Sequence, residues 1–483
     1  MAPFPAAIAA IAAVLAFFID ITIGVTITPP PNLNLGEATS IKGVARTIAE
    51  GALSYYSGNA TEFVDLPSPY YWWECGALMG AILDYSHYTA DSSYDDLLST
   101  ALSTNIGPNY DLMIPKYQGQ EGNDDQAFWT FNMLTAAERN FPQVDDVNVP
   151  SWLQVAENSW NSLAGRWNMS ACGGGLLWQI FEDNPNGLNY RNSVSNGGLF
   201  QISARLYRAT GNQTYLDWAN KVWDWSRALK MIDDEYIVYD GANSDKNCTD
   251  MNPISFSYSA GIYLYGAAVL ANTTAGDAAS TWLQRTEGLL QGSKSFFTPY
   301  SNATNIMYEH ACEQVDLCNT DMKSFKGYLS RFMYASTLMV SSIQDTVQEL
   351  LNTSATAAAN SCSGGEDSAT CGQKWYVGGF DGSVGLGQQM CALETVQGHL
   401  ARQAAAPLGK GEIKDVRQSS ATETANAGAS PTAPTDSSES SSAATTSMDT
   451  RRSKSAGVAV VPGLERLWNA LGLGLFTVVF AIV

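Results

Sequence analysis

Twelve segments with apolar residues at helical spacing constrain the fold of this 483-residue chain more than any other feature. Apolar residues that recur three and four positions apart share one face of an α-helix. The first segment carries such a stripe at positions 41, 44, 45, 48, 49 and 52. The other eleven span residues 72–88, 94–105, 124–140, 151–166, 194–208, 213–229, 257–270, 275–291, 322–339, 341–352 and 384–402. We therefore predict a mainly helical domain between Thr39 and Arg402.

Twelve helices form six hairpins, whose connecting turns alternate between short ones and longer ones rich in glycine and aromatic residues. This pattern predicts an all-α fold, a closed (α/α)6 toroid with apolar inner helices and a cleft lined by the longer loops. An open α-solenoid is the alternative, but the sequence has no fixed short repeat, which favours the toroid. Short β segments fit residues 176–181 and 236–239. Alternating βαβ units are missing, which argues against a doubly wound sheet.

Both ends of the chain differ in composition from this domain. Residues 1–19 are uncharged and mostly apolar, which is typical of a signal peptide, although apolar residues up to Ile27 leave an uncleaved anchor as the alternative. Residues 20–38 are a lead-in, 39–402 form one domain, and 403–455 form a Ser/Thr-rich stalk. Residues 456–483 contain a short spacer and an apolar end, the pattern of a GPI-attachment signal. We expect a secreted protein that a GPI anchor holds at the outer face of the plasma membrane and the cell wall.

Cysteines and glycosylation motifs agree with secretion. All eight cysteines lie between the two processed ends, and an even number in an oxidising compartment predicts disulfides. Cys312 with Cys318, and Cys362 with Cys371, are close enough in sequence to close local loops. Seven N-x-[ST] motifs also lie in the middle of the chain, at Asn59, Asn168, Asn212, Asn247, Asn272, Asn302 and Asn352.

Charge and residue types exclude several classes of function. The formal net charge of −21 argues against nucleic acid binding, which needs a basic footprint. Only three histidines occur, far apart in sequence, so a histidine-rich metal site and a Ser-His-Asp triad are both disfavoured. Because no cofactor motif is present, we expect neither metal nor cofactor. Carboxylates combined with 11% aromatic residues suit neutral, polyhydroxylated ligands such as sugars.

Four Asp-Asp pairs occur, and the context of Asp124-Asp125 distinguishes it from the others. Glycines precede the pair and an aromatic, apolar helix follows it, whereas the pairs at 95–96, 145–146 and 233–234 lie in polar turns or at a solvated helix start. Two carboxylates at a helix start, about 5 Å apart, would have the spacing of a retaining glycosidase. The alternative is an N-terminal pair that only caps the helix and interacts with its dipole.

Several strings together resemble fungal glycoside hydrolase family 76, and within it GPI-anchored cell-wall mannan endo-1,6-α-mannosidases. They are GNDDQAFW, WWECGALMGAILDY, CGGGLLWQIF, SNGGLFQISARLYRATGNQTYLDWA, YIVYDG, CNTDMKSFKGYLSRFM and GFDGSVGLGQQM. The resemblance implies the (α/α)6 fold, Asp124 as nucleophile, Asp125 as general acid/base, and action on α-1,6-linked mannose with retention. The chain departs from the family pattern at Leu177, where Arg is frequent, and at residues 256–261, which could alter sugar subsites.

Further candidate sugar-binding residues lie in these motifs. They are Trp72, Trp73, Trp129, Trp178, Asn196, Asp240 and Asp381. Turn chemistry or core packing is the alternative for each of them. Asn319-Thr320-Asp321 is interpreted as a helix cap rather than a site.

Four functions remain open from the sequence. We expect a monomeric transglycosylase with mannan or a GPI-anchor glycan as donor and wall glucan as acceptor. A plain endo-α-1,6-mannanase, a non-catalytic mannan-binding protein and a structural surface protein are the alternatives.

Overall fold

The computed structural model describes residues 32–56, 65–144, 148–182, 184, 187–366 and 368–414. The predicted signal peptide, the GPI-attachment signal and nearly all of the stalk lie outside these residues, as does the motif at Asn59. Within the described residues, no helix is both long enough and apolar enough to cross a membrane.

Twelve α-helices occur in the described residues, and each overlaps one of the predicted segments. They are α1 (Ala38–Leu53), α2 (Trp72–Thr89), α3 (Asp95–Thr104), α4 (Asn123–Glu138), α5 (Trp152–Gly165), α6 (Ser193–Thr210), α7 (Gln213–Ala228), α8 (Ser257–Thr273), α9 (Gly276–Ser293), α10 (Phe325–Met339), α11 (Gln344–Ser361) and α12 (Leu386–Gln397).

The even-numbered helices form an inner ring. Each packs against the next one, from α2 through α4, α6, α8 and α10 to α12, and α12 packs back against α2. The odd-numbered helices lie outside, on the inner helices next to them. Because the ring closes, the fold is the predicted (α/α)6 toroid and not an open solenoid.

Burial follows this division between the two rings. Residues 259–270 of the inner helix α8 are all buried, which requires a helix that is apolar all round. The outer helix α7 buries only one face, which includes Tyr215, Ala219 and Val222. Close contact between inner helices depends on small residues: a Cβ atom at Gly261 would lie 2.9 Å from Cα of Leu329 on α10.

Buried ion pairs connect the C-terminal halves of the inner helices. Asp84 of α2 lies 2.5 Å from Arg139 and 2.8 Å from Arg331 of α10, and Arg205 of α6 pairs with Glu138 of α4 at 2.8 Å. These partners neutralise charges that would otherwise be costly to bury.

In the part of the chain that the structure describes, five short strands lie in the connecting loops. Strands β1 (Tyr190–Asn192), β2 (Gly241–Asn243) and β3 (Met251–Asn252) form an antiparallel sheet in that order. Strands β4 (Cys362–Gly364) and β5 (Thr370–Cys371) form an antiparallel pair. The two predicted β segments contribute only single bridges, between Gly122 and Gln179 and between Ile232 and Val238.

Three disulfides join Cys172 to Cys248, Cys312 to Cys318, and Cys362 to Cys371. The last two close the local loops expected from sequence spacing. The expectation that all eight cysteines are paired in disulfides is wrong for Cys75 and Cys391, which are buried thiols on the inner helices α2 and α12.

Residues 404–414 form a strap across the C-terminal ends of α2, α4 and α6, at the end of the toroid that we call the closed end. The backbone N–H of Leu408 donates to the Glu138 carbonyl at 2.7 Å, and the Arg208 guanidinium donates to the carbonyls of Pro407 and Leu408. Lys414, the last described residue, therefore lies at this end.

Candidate active site

A cavity of about 530 Å³ opens at the other end of the toroid, where the inner helices begin. Residues at or next to the starts of five inner helices, α2, α4, α6, α8 and α10, contribute to its wall, so the wall surrounds the centre of the ring. The lining residues are Tyr71, Trp73, Gly119, Gln120, Asp124, Asp125, Phe128, Trp178, Gln179, Asn184, Tyr190, Asn192, Asp240, Phe256, Tyr258, Asn319, Asp321, Met322 and Phe325.

Asp124 and Asp125 lie in the first turn of α4, at the base of this cavity. The backbone N–H groups of a first helical turn have no partner within the helix and favour negative charge. The N–H of Gly122 donates to Oδ2 of Asp125, while Oδ1 of Asp124 is buried with no hydrogen-bond partner among the described residues.

Gly122 shows how closely the two carboxyl groups approach each other. A Cβ atom at Gly122 would clash with Oδ1 of Asp124 and would lie 3.0 Å from Oδ2 of Asp125. Both oxygens are therefore within about 3 Å of one point and at most about 6 Å apart, against ~5–5.5 Å in retaining and ~6.5–9.5 Å in inverting glycosidases.

The loop before β1 fixes the position of this turn. The Asn123 backbone N–H donates to the Trp178 carbonyl at 2.9 Å, and its Nδ2 donates to the Leu177 carbonyl at 2.8 Å. These bonds attach the start of α4 to the segment that carries Trp178, so the carboxyls and that indole belong to one connected wall.

Burial raises the pKa of both carboxyls, and repulsion from nearby carboxylates adds to it, from Asp321 at Asp124 and mainly from Asp124 at Asp125. Burial is the main cause at Asp124 and raises its pKa to about 7, although nearby N–H groups of the helix start and of Trp178 act in the opposite direction. At Asp125, burial and then the charge of Asp124 raise the pKa well above its ordinary value. One proton is therefore held between two groups of different acidity, as an acid/base pair requires.

Comparison with known proteins identifies the family. Residues 40–411 match glycosyl hydrolase family 76. The chain belongs to this family.

Curated relatives of this family 76 protein include two from Saccharomyces cerevisiae. It is 43% identical over 379 residues to mannan endo-1,6-alpha-mannosidase DCW1, covering 78% of this chain and 82% of the relative. It is 41% identical over 380 residues to mannan endo-1,6-alpha-mannosidase DFG5, covering 78% of this chain and 81% of the relative.

Solved structures share the fold of this family 76 protein. Dfg5 from Chaetomium thermophilum, in complex with glucosamine, superposes with a TM-score of 0.73 at 36% identity, covering 78% of this chain and 94% of the other. The α-1,6-mannanase GH76A of Salegentibacter was solved as an inactive variant in complex with α-1,6-mannotriose. It gives a TM-score of 0.59 at 18% identity, covering 74% of this chain and 99% of the other.

Three of the predicted sugar-binding residues line the cavity of this family 76 protein. Trp178 is 36% exposed at the cavity wall. The Trp73 indole donates to Oδ1 of Asp321 at 3.2 Å, and its ring packs on Phe128. Asp240 accepts hydrogen bonds from the Tyr190 hydroxyl at 2.6 Å and from Nδ2 of Asn252 at 3.0 Å, and burial raises its pKa.

The structure places Trp72 and Trp129 in the core instead of the cavity wall. Trp72 is stacked between Trp129 and Tyr117, with ring centroids 5.3 and 5.4 Å away, and its indole donates to Asn105. Trp129 has no exposed surface, and its indole donates to the Trp72 carbonyl. Both rings support the helix starts from behind and are not among the residues that line the cavity.

Asn196 and Asp381 also lie outside the lining, because both hold backbone segments in place. The Asn196 side chain is fully buried and pairs with both the N–H and the carbonyl of Leu176, which orients the segment leading to Trp178. The Asp381 carboxylate accepts from the N–H groups of Gln373, Lys374 and Ser383 and so closes a turn.

Asp321 lines the cavity, although the sequence suggested only a cap. Asn319 does act as a cap, since its Oδ1 accepts from the Met322 N–H at 2.9 Å, but both Asn319 and Asp321 reach the cavity. Tyr190 and Tyr258 are further lining residues that the sequence did not single out. Neither residue lies in a string shared with family 76, and Tyr258 belongs to the segment 256–261, where the chain departs from the family pattern.

The cavity wall has acidic side chains without basic counterparts. Its described residues include four aspartic acids, Asp124, Asp125, Asp240 and Asp321, and no Lys, Arg or His. In the described part of the chain, no group of three or more His, Cys, Asp or Glu side chains is arranged to hold a metal ion.

Proposed function

We propose that this family 76 chain is a retaining glycosidase that acts on α-1,6-linked mannose, with Asp124 as nucleophile and Asp125 as general acid/base. The observation that carries the proposal is the convergence of the two carboxyl groups at the base of one cavity. Their separation of at most about 6 Å supports direct attack by a carboxylate, since an inverting enzyme needs room for a water between its carboxyls. The relatives DCW1 and DFG5 are named mannan endo-1,6-alpha-mannosidases, which supports the substrate class.

The raised pKa values of both carboxyls support a division of roles, because one group of such a pair stays protonated while the other is ionised. In the proposed assignment the Asp124 carboxylate attacks the anomeric carbon. Asp125 holds the proton and donates it to the glycosidic oxygen as the bond to the leaving group breaks. Asp125 then removes a proton from the incoming hydroxyl group. That hydroxyl displaces Asp124 from the covalent glycosyl-enzyme and restores the free carboxylate.

The incoming hydroxyl decides between two outcomes. Water gives an endo-α-1,6-mannanase, whereas a hydroxyl of another glycan gives a transglycosylase. We favour transfer from a GPI-anchor glycan to wall glucan, by a monomer that is itself GPI-anchored outside the cell. Four carboxylates without a lining cation suit a donor that carries a positive charge, and an unacetylated sugar amine is such a group. The relative from Chaetomium thermophilum binds glucosamine, which agrees with this preference.

The test measures the fate of the glycosyl group. The purified protein is incubated with an α-1,6-mannoside and a fluorescent β-glucan oligosaccharide, and the products are separated by size. Transglycosylation predicts a labelled conjugate, which Asp124→Asn abolishes. Accumulation of shorter free mannosides without any conjugate would show a hydrolase instead. If neither sugar changes although the mannoside binds, the protein is a mannan-binding protein without catalytic activity.

A further inference from the structure

The first turn of α4 is held from behind by Arg166, which follows the last residue of α5. Its Nε donates to Oδ1 of Asn123 at 2.7 Å, and one terminal nitrogen donates to Oε1 of Gln126. The other terminal nitrogen donates to the Ser162 hydroxyl at 2.8 Å. One guanidinium therefore grips two side chains of α4 and connects them to α5.

Asn123 and Gln126, which Arg166 binds, flank the Asp pair in sequence and lie on the opposite face of α4. Successive residues of an α-helix are rotated by about 100°, so Asn123 and Gln126 lie about 60° apart on one face. The midpoint between Asp124 and Asp125 then lies about 180° from the midpoint between the gripped residues. Arg166 thus holds the side of the turn that faces directly away from the two carboxyls.

The contacts of Arg166 extend to the cavity wall through Asn123. Because Oδ1 of Asn123 accepts from Arg166, its Nδ2 is oriented to donate to the Leu177 carbonyl. The next residue, Trp178, lines the cavity. A single cation therefore fixes both the rotation of the turn and the distance from that turn to the indole.

The partners of Arg166 differ from those of the buried arginines that join the inner helices. Arg139, Arg205 and Arg331 each pair with a carboxylate, whereas Arg166 forms no ion pair within 4.0 Å among the described residues. Burial lowers its pKa to about 10, so it is still a cation at neutral pH. The carboxyls of Asp111 and Glu121 and the C-terminal end of α5 favour this charge, whereas the start of α4, which it contacts, does not.

We infer that Arg166 is a positioning residue that holds the Asp124–Asp125 pair in its reactive orientation. The inference rests on the proposed glycosidase function. A planar guanidinium can reach two amide oxygens in a fixed geometry, and the single ammonium of lysine cannot reproduce this. Since displacing a catalytic group by 1 Å can lower the rate about 100-fold, loosening the turn should act on turnover more than on binding.

The test is chemical rescue of Arg166→Ala with guanidinium chloride at millimolar concentration. We expect kcat on an α-1,6-mannoside to fall about 10- to 100-fold with KM within about threefold, and guanidinium to restore part of it. Arg166→Lys without guanidinium should have a lower kcat than Arg166→Ala with guanidinium. Arg208→Ala is the matched control, because Arg208 also donates to two oxygens but lies at the closed end. Its kcat should be unchanged with or without guanidinium.

A second readout needs no substrate. Amide hydrogen exchange across residues 122–128 should accelerate in Arg166→Ala, slow again with guanidinium, and stay normal in Arg208→Ala. Unchanged exchange and kcat in Arg166→Ala, or losses that guanidinium does not reverse, would overturn the inference. A wild-type protein that turns over no α-1,6-mannoside would instead overturn the proposed function, and the exchange experiment would then decide on Arg166 separately.

Discussion

The backbone N–H of Gly122 donates a hydrogen bond to Oδ2 of Asp125, three residues further along the chain. This bond turns the Asp125 carboxyl back towards the start of α4, beside Asp124. Glycine at position 122 is required by the space available, since any side chain there would meet both carboxyl groups. The geometry of the pair therefore depends on a residue with no functional group of its own.

Gly122→Ala should reduce activity while the protein still folds. The added methyl group must displace the Asp124 carboxyl, and we expect kcat to fall by about 100-fold. Gly119→Ala is the control, because Gly119 also lines the cavity but a Cβ atom there would meet nothing within 4 Å. Steady-state kinetics and thermal unfolding of both variants test this. Equal activity of the two variants would contradict the importance of the Gly122 contact.

The roles of the two carboxyls can be separated with azide. Asp124→Asn and Asp125→Asn should each lower kcat by about 10³-fold or more. Azide should restore turnover of Asp125→Ala with retention of anomeric configuration, because the nucleophile is intact. For Asp124→Ala, azide should give the inverted glycosyl azide. Product configuration is read by NMR, and the opposite pattern would exchange the two assignments.

The pH dependence of kcat/KM should show its acidic limb near pH 7. Burial raises the pKa of Asp124 to about 7, and this group must be ionised to attack. At higher pH the rate should fall again once Asp125 loses its proton, because its pKa lies well above the ordinary value. The two apparent values belong to the coupled pair. An acidic limb near pH 4 would show that the pKa of the nucleophile is not raised in the free enzyme.

Aromatic substitutions should separate ligand contact from core packing. Trp178→Ala should raise KM roughly tenfold, equivalent to about 1.4 kcal/mol, with little change in the free energy of unfolding. Trp129→Ala removes a fully buried ring and should lower that free energy by about 3–5 kcal/mol. Denaturant titration and steady-state kinetics measure the two effects. A stability loss in Trp178→Ala that exceeds its effect on KM would place that ring in the core.

Stability should decrease as the pH rises from 7 to 9. Burial raises the pKa values of Glu74 and Glu309 to about 8, while in the unfolded chain they titrate near 4.3. In this range only the folded state still holds these protons, so removing them lowers the free energy of unfolding, by roughly 1 kcal/mol per group.

The histidines do not oppose this trend. Burial lowers the pKa values of His87, His310 and His399, so they are neutral in both states above pH 7. Glu74→Gln and Glu309→Gln should each flatten the dependence measured by thermal unfolding between pH 7 and 9. A melting temperature that rises over this range in the wild type would contradict the prediction.

The sequence predicted the helices and their arrangement well because the twelve apolar stripes have a physical cause. Each inner helix must bury its whole surface and each outer helix one face, and both requirements leave a pattern in the chain. Boundaries were less well predicted where packing does not determine the residue type. Helix α11 continues to Ser361 through a run that includes Ala355, Ala357 and Ala358, beyond the predicted end at 352. Alanine favours helix but carries no amphipathic signal.

The members of the site were harder to predict, because the side chains that line a cavity and those that support it have the same residue types. Trp72 and Trp73 are adjacent, yet one is enclosed by rings and the other lines the cavity, since successive helical residues point about 100° apart. Asn196 and Asp381 sit in glycine-rich motifs but bind backbone. Asp321 looked like a cap because its neighbour Asn319 is one. The rotation of each helix start about its own axis decides whether a side chain lines the cavity or supports it, and residue type does not reveal that rotation.

The strap over the closed end determines from which side the domain can be held. Helix α4 contains 16 residues, so Lys414, beside its C-terminal end, and the Asp pair at its start are about 24 Å apart along the toroid axis. The cavity mouth and Lys414 therefore face opposite directions. An immobilising group attached at Lys414 would leave the cavity mouth unobstructed.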